Sequence, residues 1–347
     1  MKHFFLKPLM MVLTIGFFLT SCSSDDDNGL SPEMPEGAYD LGYIIANEGN
    51  FGSPNASVSF INADLTQVTN SIFQTENPSE TLGDVLHSIS FDDEYAYLIM
   101  NNSNKVVVVD RFNFQHITTL TENINLPRFA EIEDGKLYIG NSQSKDIAIY
   151  NISDFSYGAS VSIDKPIEYL KAEDGFLYVQ NAAFGQGNEI SVIDLSTNQI
   201  TKTLTVGGVL NSMTDDNGIL YALHSEGITK INMSTATEME TLPFVGDISD
   251  ASKLTIEDEM LFFIAGSKIY GYDLNVTELN DEALFDTQVE DETWFLGYGF
   301  AVENGKIFYS DVNGFTEDSS LRVYDFSGKL LNTLTTGIGS NSIYFND

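Results

Sequence analysis

The sequence predicts an all-β protein, a seven-bladed β-propeller. Three observations lead there. A two-residue turn recurs at Asp93-Glu94, Asp134-Gly135, Asp174-Gly175, Asn217-Gly218, Asp258-Glu259 and Asn304-Gly305, at intervals of 40 to 46 residues. An apolar, aromatic-rich run follows every turn, as in residues 95–98, 137–139, 176–179, 220–222, 261–264 and 307–309. A further apolar run then ends on Asp or Asn, at Asp110, Asn151, Asp194, Asn232, Asp273 and Asp325. Repeats of roughly 40–50 residues built from short strands mark a propeller, because one such sheet cannot bury both faces without a copy of itself on either side.

Taken in order, residues 43–46 read as the second strand of a first unit, and residues 58–61 with Asn62 as its third. That unit lacks an inner strand before it. The six later units are complete, each with an inner strand, the turn, a second strand, a loop, a third strand and a fourth such as residues 116–120 or 329–334. Asp-Gly and Asn-Gly suit a tight hairpin because both central positions need positive φ. The closing Asp or Asn can bond backbone two residues on, as an Asx-turn. Residues 342–345 (Ser-Ile-Tyr-Phe) match the inner-strand runs at 88–91 and 129–132. The last strand is therefore expected to complete the first blade, which closes the ring and removes free sheet edges.

The N-terminus reads differently. Residues 1–7 are basic and residues 8–18 apolar, and Leu19-Thr20-Ser21 leads into Cys22, the only cysteine. This is the pattern of a secretory signal over residues 1–21. Its end resembles a bacterial lipobox, in which cleavage precedes the cysteine and the thiol carries diacylglycerol, so Cys22 is the expected lipidation site. Residues 22–38 form an acidic and proline-containing tether, with Asp25-Asp26-Asp27 at its start. The propeller is expected to occupy residues 39–347.

Net charge is −35, and cleavage before Cys22 removes Lys2 and Lys7 and no acid, giving −37. Phosphate backbones need clustered Lys and Arg, so this balance excludes nucleic acid as a partner. It also disfavours anionic lipid, leaving the lipid anchor as the only membrane contact. With 42% hydrophobic residues the chain has ample material for a core.

No catalytic constellation stands out. Four histidines (His3, His87, His116, His224) include no metal-spaced pair, and neither a nucleophile elbow nor a phosphate-binding loop occurs. No cofactor or metal is predicted, and the chain is read as a non-enzyme. Position within the repeat says more. Asn47, Asn101, Asn141, Asn181, His224, Ala265 and Asp311 stand in register just beyond the second strands. In a closed ring they circle the axis at one rim. The Asn residues read first as turn caps, whereas His224 and Asp311 break the repeat and are the better functional candidates. Connections between blades open on the same rim and bring Glu80–His87, Arg128, Lys165–Tyr169, Asn211, Asp250–Lys253, Trp294-Phe295 and Asn341. Variable loops on a repeated scaffold are where binding specificity sits. The candidate ligand-binding residues are accordingly Asn50, Phe51, His87, Asn101, Arg128, Asn141, Asn181, Phe184, His224, Trp294 and Asp311.

The Asp-Gly-x-Leu-Tyr … Val-x-Asp unit resembles the YncE-like seven-bladed propellers over essentially all of residues 39–347. The opening Asn47-Glu-Gly-Asn-Phe-Gly-Ser-Pro, behind a lipobox and an acidic tether, resembles one branch, surface lipoproteins of the Bacteroidota. Members of that branch work beside TonB-dependent outer-membrane transporters, and some capture cobalamin and related corrinoids while others capture iron–siderophore complexes. The resemblance thus implies an outer-membrane, surface-exposed lipoprotein that binds a bulky nutrient at the loop rim and passes it to such a transporter. It leaves open a purely protein-binding module, or an enzyme related to the lactonase and quinoprotein propellers.

Overall fold

The computed structural model describes residues 36–289, 295 and 297–347. The signal, Cys22, most of the tether and Trp294 lie outside the described residues. Seven antiparallel sheets of four strands follow one another, the fifth extended by a fifth strand. Their inner strands are Ser340–Asn346, Leu86–Phe91, Pro127–Glu133, Leu170–Glu173, Leu210–Asp216, Ser252–Glu257 and Phe300–Glu303. Each inner strand packs against those of both neighbouring blades, and the seventh packs against the first. The chain is a closed seven-bladed propeller, as the repeat predicts. Ser340–Asn346 lies antiparallel beside Gly42–Asn47, with Tyr43 opposite Phe345 and Ile45 opposite Ile343.

The core explains why the middle strands are so apolar. Seven hydrophobic clusters occur, one at every interface between blades. A strand buried on both faces loses the apolar–polar alternation of a half-buried one. Gly42–Asn47 and Tyr95–Met100 are accordingly buried almost throughout. The third residue of most second strands is a buried ring (Tyr97, Tyr138, Tyr178, Tyr221, Phe262, Phe308) wedged toward the next sheet. The last cluster joins Phe308, Leu321 and Val323 of the seventh blade to Tyr43, Ile45 and Ile343 of the first. Closure is thus a packed interface as well as a hydrogen-bonded strand pair.

Local signals are realised with two exceptions. Asp134-Gly135, Asp174-Gly175, Asn217-Gly218, Asp258-Glu259 and Asn304-Gly305 all have positive φ at both residues, as a two-residue hairpin needs. Asp93-Glu94 does not, because Asp92 Oδ1 instead accepts the backbone N–H groups of Glu94 and Tyr95. Asp110, Asp194, Asp273 and Asp325 each accept backbone N–H groups two or more residues on. Asn151 departs, its amide donating to Ser156 Oγ. Two features escape the repeat: a short helix, Ile72–Glu76, between the first two blades, and Leu279–Asn280, which adds parallel to the outer edge of the fifth.

Candidate functional site

Most inner strands begin with an irregularity. The register shifts between Leu86 and Ser88, Pro127 and Ala130, Leu210 and Ser212, and Ser252 and Thr255. An extra residue in a strand re-aims a side chain, and the extra residues here include His87, Arg128, Asn211 and Lys253. With Glu168, Tyr298 and Asn341 they line one end of an axial cavity of about 980 Å³, one residue from each blade. Glu48, just beyond Gly42–Asn47, joins them.

This ring is a hydrogen-bonded ionic network. Arg128 Nε donates to Glu168 Oε2 at 2.6 Å. Tyr298 Oη donates to Glu48 Oε2 at 2.8 Å, and Asn341 Nδ2 donates to Glu48 Oε1 at 2.9 Å. His87 Nδ1 lies 3.8 Å from Glu48 Oε1. Burial raises the pKa of both Glu48 and Glu168, against the pull of their donors and of Arg128 and Lys253. Burial also holds His87 well below its ordinary value, helped by the Arg128 and Lys253 charges, so the imidazole is neutral. Lys253 is lowered by desolvation, which outweighs the attraction of Glu48.

Aromatic rings frame the mouth. Phe129 stacks on Tyr169 at 4.3 Å, and Phe295, Tyr298 and Phe315 meet edge to face at 5.0 to 5.8 Å. Phe184, 89% exposed, lies over the Arg128 guanidinium at 5.5 Å.

Deeper along the inner strands a second ring lines the cavity: Ser90, Glu131, Lys171, Thr214, Thr255, Ala301 and Tyr344. Lys171 Nζ pairs with Asp215 Oδ1 at 2.9 Å. Desolvation opposes its charge, but Glu131 and Asp215 outweigh it and lift its pKa. Burial pushes the Glu131 carboxyl up to about 7 despite Lys171. Beyond it Asp92, Glu133, Glu173, Asp216, Glu257 and Glu303 stand at or just past the ends of the inner strands, each opposite the first residue of its blade's second strand, so that end of the inner strands is acidic.

The sequence-predicted residues divide. His87, Arg128 and Phe184 line the cavity. Asn101, Asn141 and Asn181 do not. Their amides donate to Pro127 O, Asn123 O and Pro166 O and stitch hairpins to the connections between blades. Asn141 is wholly buried. They are the structural caps that the repeat allowed. His224, 1% exposed, meets Thr229 Oγ1 at 3.0 Å and accepts from the Glu226 N–H, and burial lowers its pKa to about 4. Asp311 is 3.2 Å from Arg322 Nη1. Asn50 donates to Phe315 O at 2.6 Å on the outer rim, and Phe51 beside it is 80% exposed. Glu48, Glu168, Lys253, Tyr298 and Asn341 are not among the candidate binding residues, although the connections expected at the rim include Asn341 and span Glu168 and Lys253; Glu168, Tyr298 and Asn341 stand three residues before Lys171, Ala301 and Tyr344, as His87 and Arg128 stand before Ser90 and Glu131. Glu131 and Lys171 carried no local signal. Among the described residues no group of three or more His, Cys, Asp or Glu is arranged to hold a metal ion.

A closed ring of seven sheets around a charged axial cavity defines a seven-bladed β-propeller. The chain belongs to the DUF5074 family, described as a domain of unknown function, whose sequence profile matches residues 41–345. No curated protein matches the chain in sequence. Among solved structures it is similar to a quinoprotein alcohol dehydrogenase-like protein from Bacteroides thetaiotaomicron, at 13% identity and TM-score 0.67, covering 89% of this chain and 79% of that one. It is also similar to apo AztD from Citrobacter koseri, at 13% identity and TM-score 0.55, covering 87% and 96%. A third is the dihydro-haem d1 dehydrogenase NirN, at 11% identity and TM-score 0.58, covering 91% and 78%. At such identities the likeness shows the fold, and a fold shared by enzymes and other proteins does not assign an activity.

Proposed function

We propose that this protein is a surface-exposed, lipid-anchored capture protein. It holds a bulky small-molecule nutrient, a corrinoid or an iron–siderophore complex, at the mouth of the axial cavity and passes it to a TonB-dependent outer-membrane transporter. The observation that carries this reading is the cavity of about 980 Å³, walled by fixed donors, acceptors and charges and rimmed by aromatic side chains. Small-molecule sites occupy roughly 300–1,000 Å³, so this volume suits a large ligand. Exposed Phe51 and Phe184 offer ring faces to a flat, conjugated one. The framework is preformed by strand pairing, which lowers the ordering cost of binding. Cys22 and the acidic tether support the cell-surface address.

Thermal melting of the full-length protein in detergent, with a corrinoid, haem or ferric siderophores added singly, tests the reading. One of them is expected to raise the melting temperature by several degrees, since ligand at about 100 times its Kd adds about 2.7 kcal/mol. No shift with any, together with co-purification of an outer-membrane protein, would assign the chain instead to protein–protein interaction. Glu131, with its pKa near 7 beside Lys171, gives the enzymatic alternative its one foothold. Turnover of a lactone or alcohol lost in Glu131→Gln would favour it.

A further inference from the structure

Among the ionic groups of the mouth, hydrogen bonding is uneven. Arg128 gives its Nε hydrogen to Glu168 Oε2. Glu48 receives Tyr298 on one oxygen and Asn341 on the other. Lys253 has no hydrogen bond or ion pair among the described residues. Its Nζ sits 5.7 Å over the Tyr298 ring, leaving three N–H donors uncommitted. Lys253 is held in the left-handed region, at φ 59, so its placement in the cavity wall is set against local preference.

A second, independent observation lies two blades on, past Tyr298 of the seventh blade. Asn341 is 95% buried, at 5% exposure, and its amide orientation is fixed by Nδ2 donating to Glu48 Oε1, Leu86 O and His87 O. Its Oδ1 has no partner among the described residues, and neither has the buried Nε2 of His87. All three residues line the same end of the cavity. They connect in sequence, Lys253 over Tyr298, Tyr298 to Glu48, and Glu48 to Asn341 and His87. A buried polar group without a partner is costly, and two of them beside an uncommitted ammonium at one mouth form a pattern complementary to something that enters.

We propose that the mouth is a two-part receptor, in which Lys253 takes an anionic oxygen group of the ligand and Asn341 Oδ1 with His87 Nε2 accept hydrogen bonds from N–H or O–H donors beside it. The anionic group is a carboxylate or a phosphate. This rests on the capture reading and names the chemistry of its ligand.

The test uses the full-length protein with inorganic phosphate and with succinate as probes, at ionic strength held constant with sodium chloride. Wild type and Lys165→Met, a control outside the cavity, are expected to show a saturable rise in melting temperature. Lys253→Met is expected to lose at least tenfold in apparent affinity. Phosphate also stabilises proteins by exclusion from their surface, and that part persists in every variant. Equal, non-saturating rises in wild type and Lys253→Met would overturn the proposal. A measurement on the wild type needs no variant. Competitive acetylation read by mass spectrometry should slow at Lys253, and not at Lys165, when either probe is present, and unchanged labelling would count against the site. A melting rise with a corrinoid or siderophore, but no response specific to Lys253, leaves capture standing and removes the anion subsite.

Discussion

Glu303 closes the inner strand of the seventh blade, with Glu257 one blade back and Asp347 nearby. Burial, aided by those two charges, raises its pKa from 4.5 to about 7. Between those values the folded protein binds more protons at this site than the unfolded chain. The stabilisation is therefore full below about pH 4.5 and lost as pH rises through 7. Glu303→Gln is expected to match wild type near pH 4 and to be more stable at pH 8, by up to about 3 kcal/mol. Denaturant melts at the two pH values check this, and a gap that does not widen with pH would contradict the assignment. Such residues were hard to read in the sequence for a physical reason. A chain with 51 acids gives no hint of which ones leave water. His87 and Arg128 were legible because a lone imidazole and a scarce cation stand out against that background. Lys253 was legible only as one residue of a connection, since being unpaired is a property of its neighbours.

Third strands show what an element needs beyond its pattern. Gly227 opens the third strand of the fifth blade at φ 149, and a Cβ there would stand 2.1 Å from Leu242 O on the fourth strand. Gly218, in the preceding turn, has φ 74 and open space where a Cβ would lie. Gly218→Ala should therefore cost only left-handed strain, about 1–2 kcal/mol. Gly227→Ala adds a backbone collision that pushes two paired strands apart, and about 3 kcal/mol or more is expected. The ranking of melting temperatures, wild type above Gly218→Ala above Gly227→Ala, checks this, and a reversed order would contradict it. The turn glycine was evident from its Asp/Asn-Gly context. The need at Gly227 was not, since it arises from a strand fifteen residues away. The same holds for the bulges that start the inner strands: the repeat marks where the strands fall, and only their pairing shows the extra residue.

Closure is a property of the whole ring. Ser340–Asn346 supplies the inner strand of the first blade, and Asn346 Nδ2 donates to Tyr39 O while its Oδ1 accepts from Arg111 Nε. The lead-in to the first blade, the closing strand and the second blade are thus joined at one point. Ending the chain at Gly339 removes the strand, uncovers the edge of Gly42–Asn47 and opens the interface built on Phe308, Tyr43 and Ile343. The shortened protein is expected to lose its single cooperative melt and to associate through the bare edge. Calorimetry with light scattering checks this, and a sharp monomeric transition near that of wild type would show that the ring holds without its clasp.

By itself the sequence determined the number of blades, their turns, the closing strand and the acidic character of the molecule. Each depends on short-range patterns, such as periodic apolar runs, left-handed turns and local Asx bonds, that repeat until the ring is full. The tertiary structure alone decided which polar residues serve the scaffold and which face the axis. Asn101, Asn141, Asn181 and Lys253 all occupy repeated or connecting positions. The asparagines spend their amides on the neighbouring connection, while Lys253, among the described residues, lies over the face of a tyrosine beside the cavity. Seven inner strands brought side by side create that cavity, and its chemistry is written across blades that are far apart in the chain.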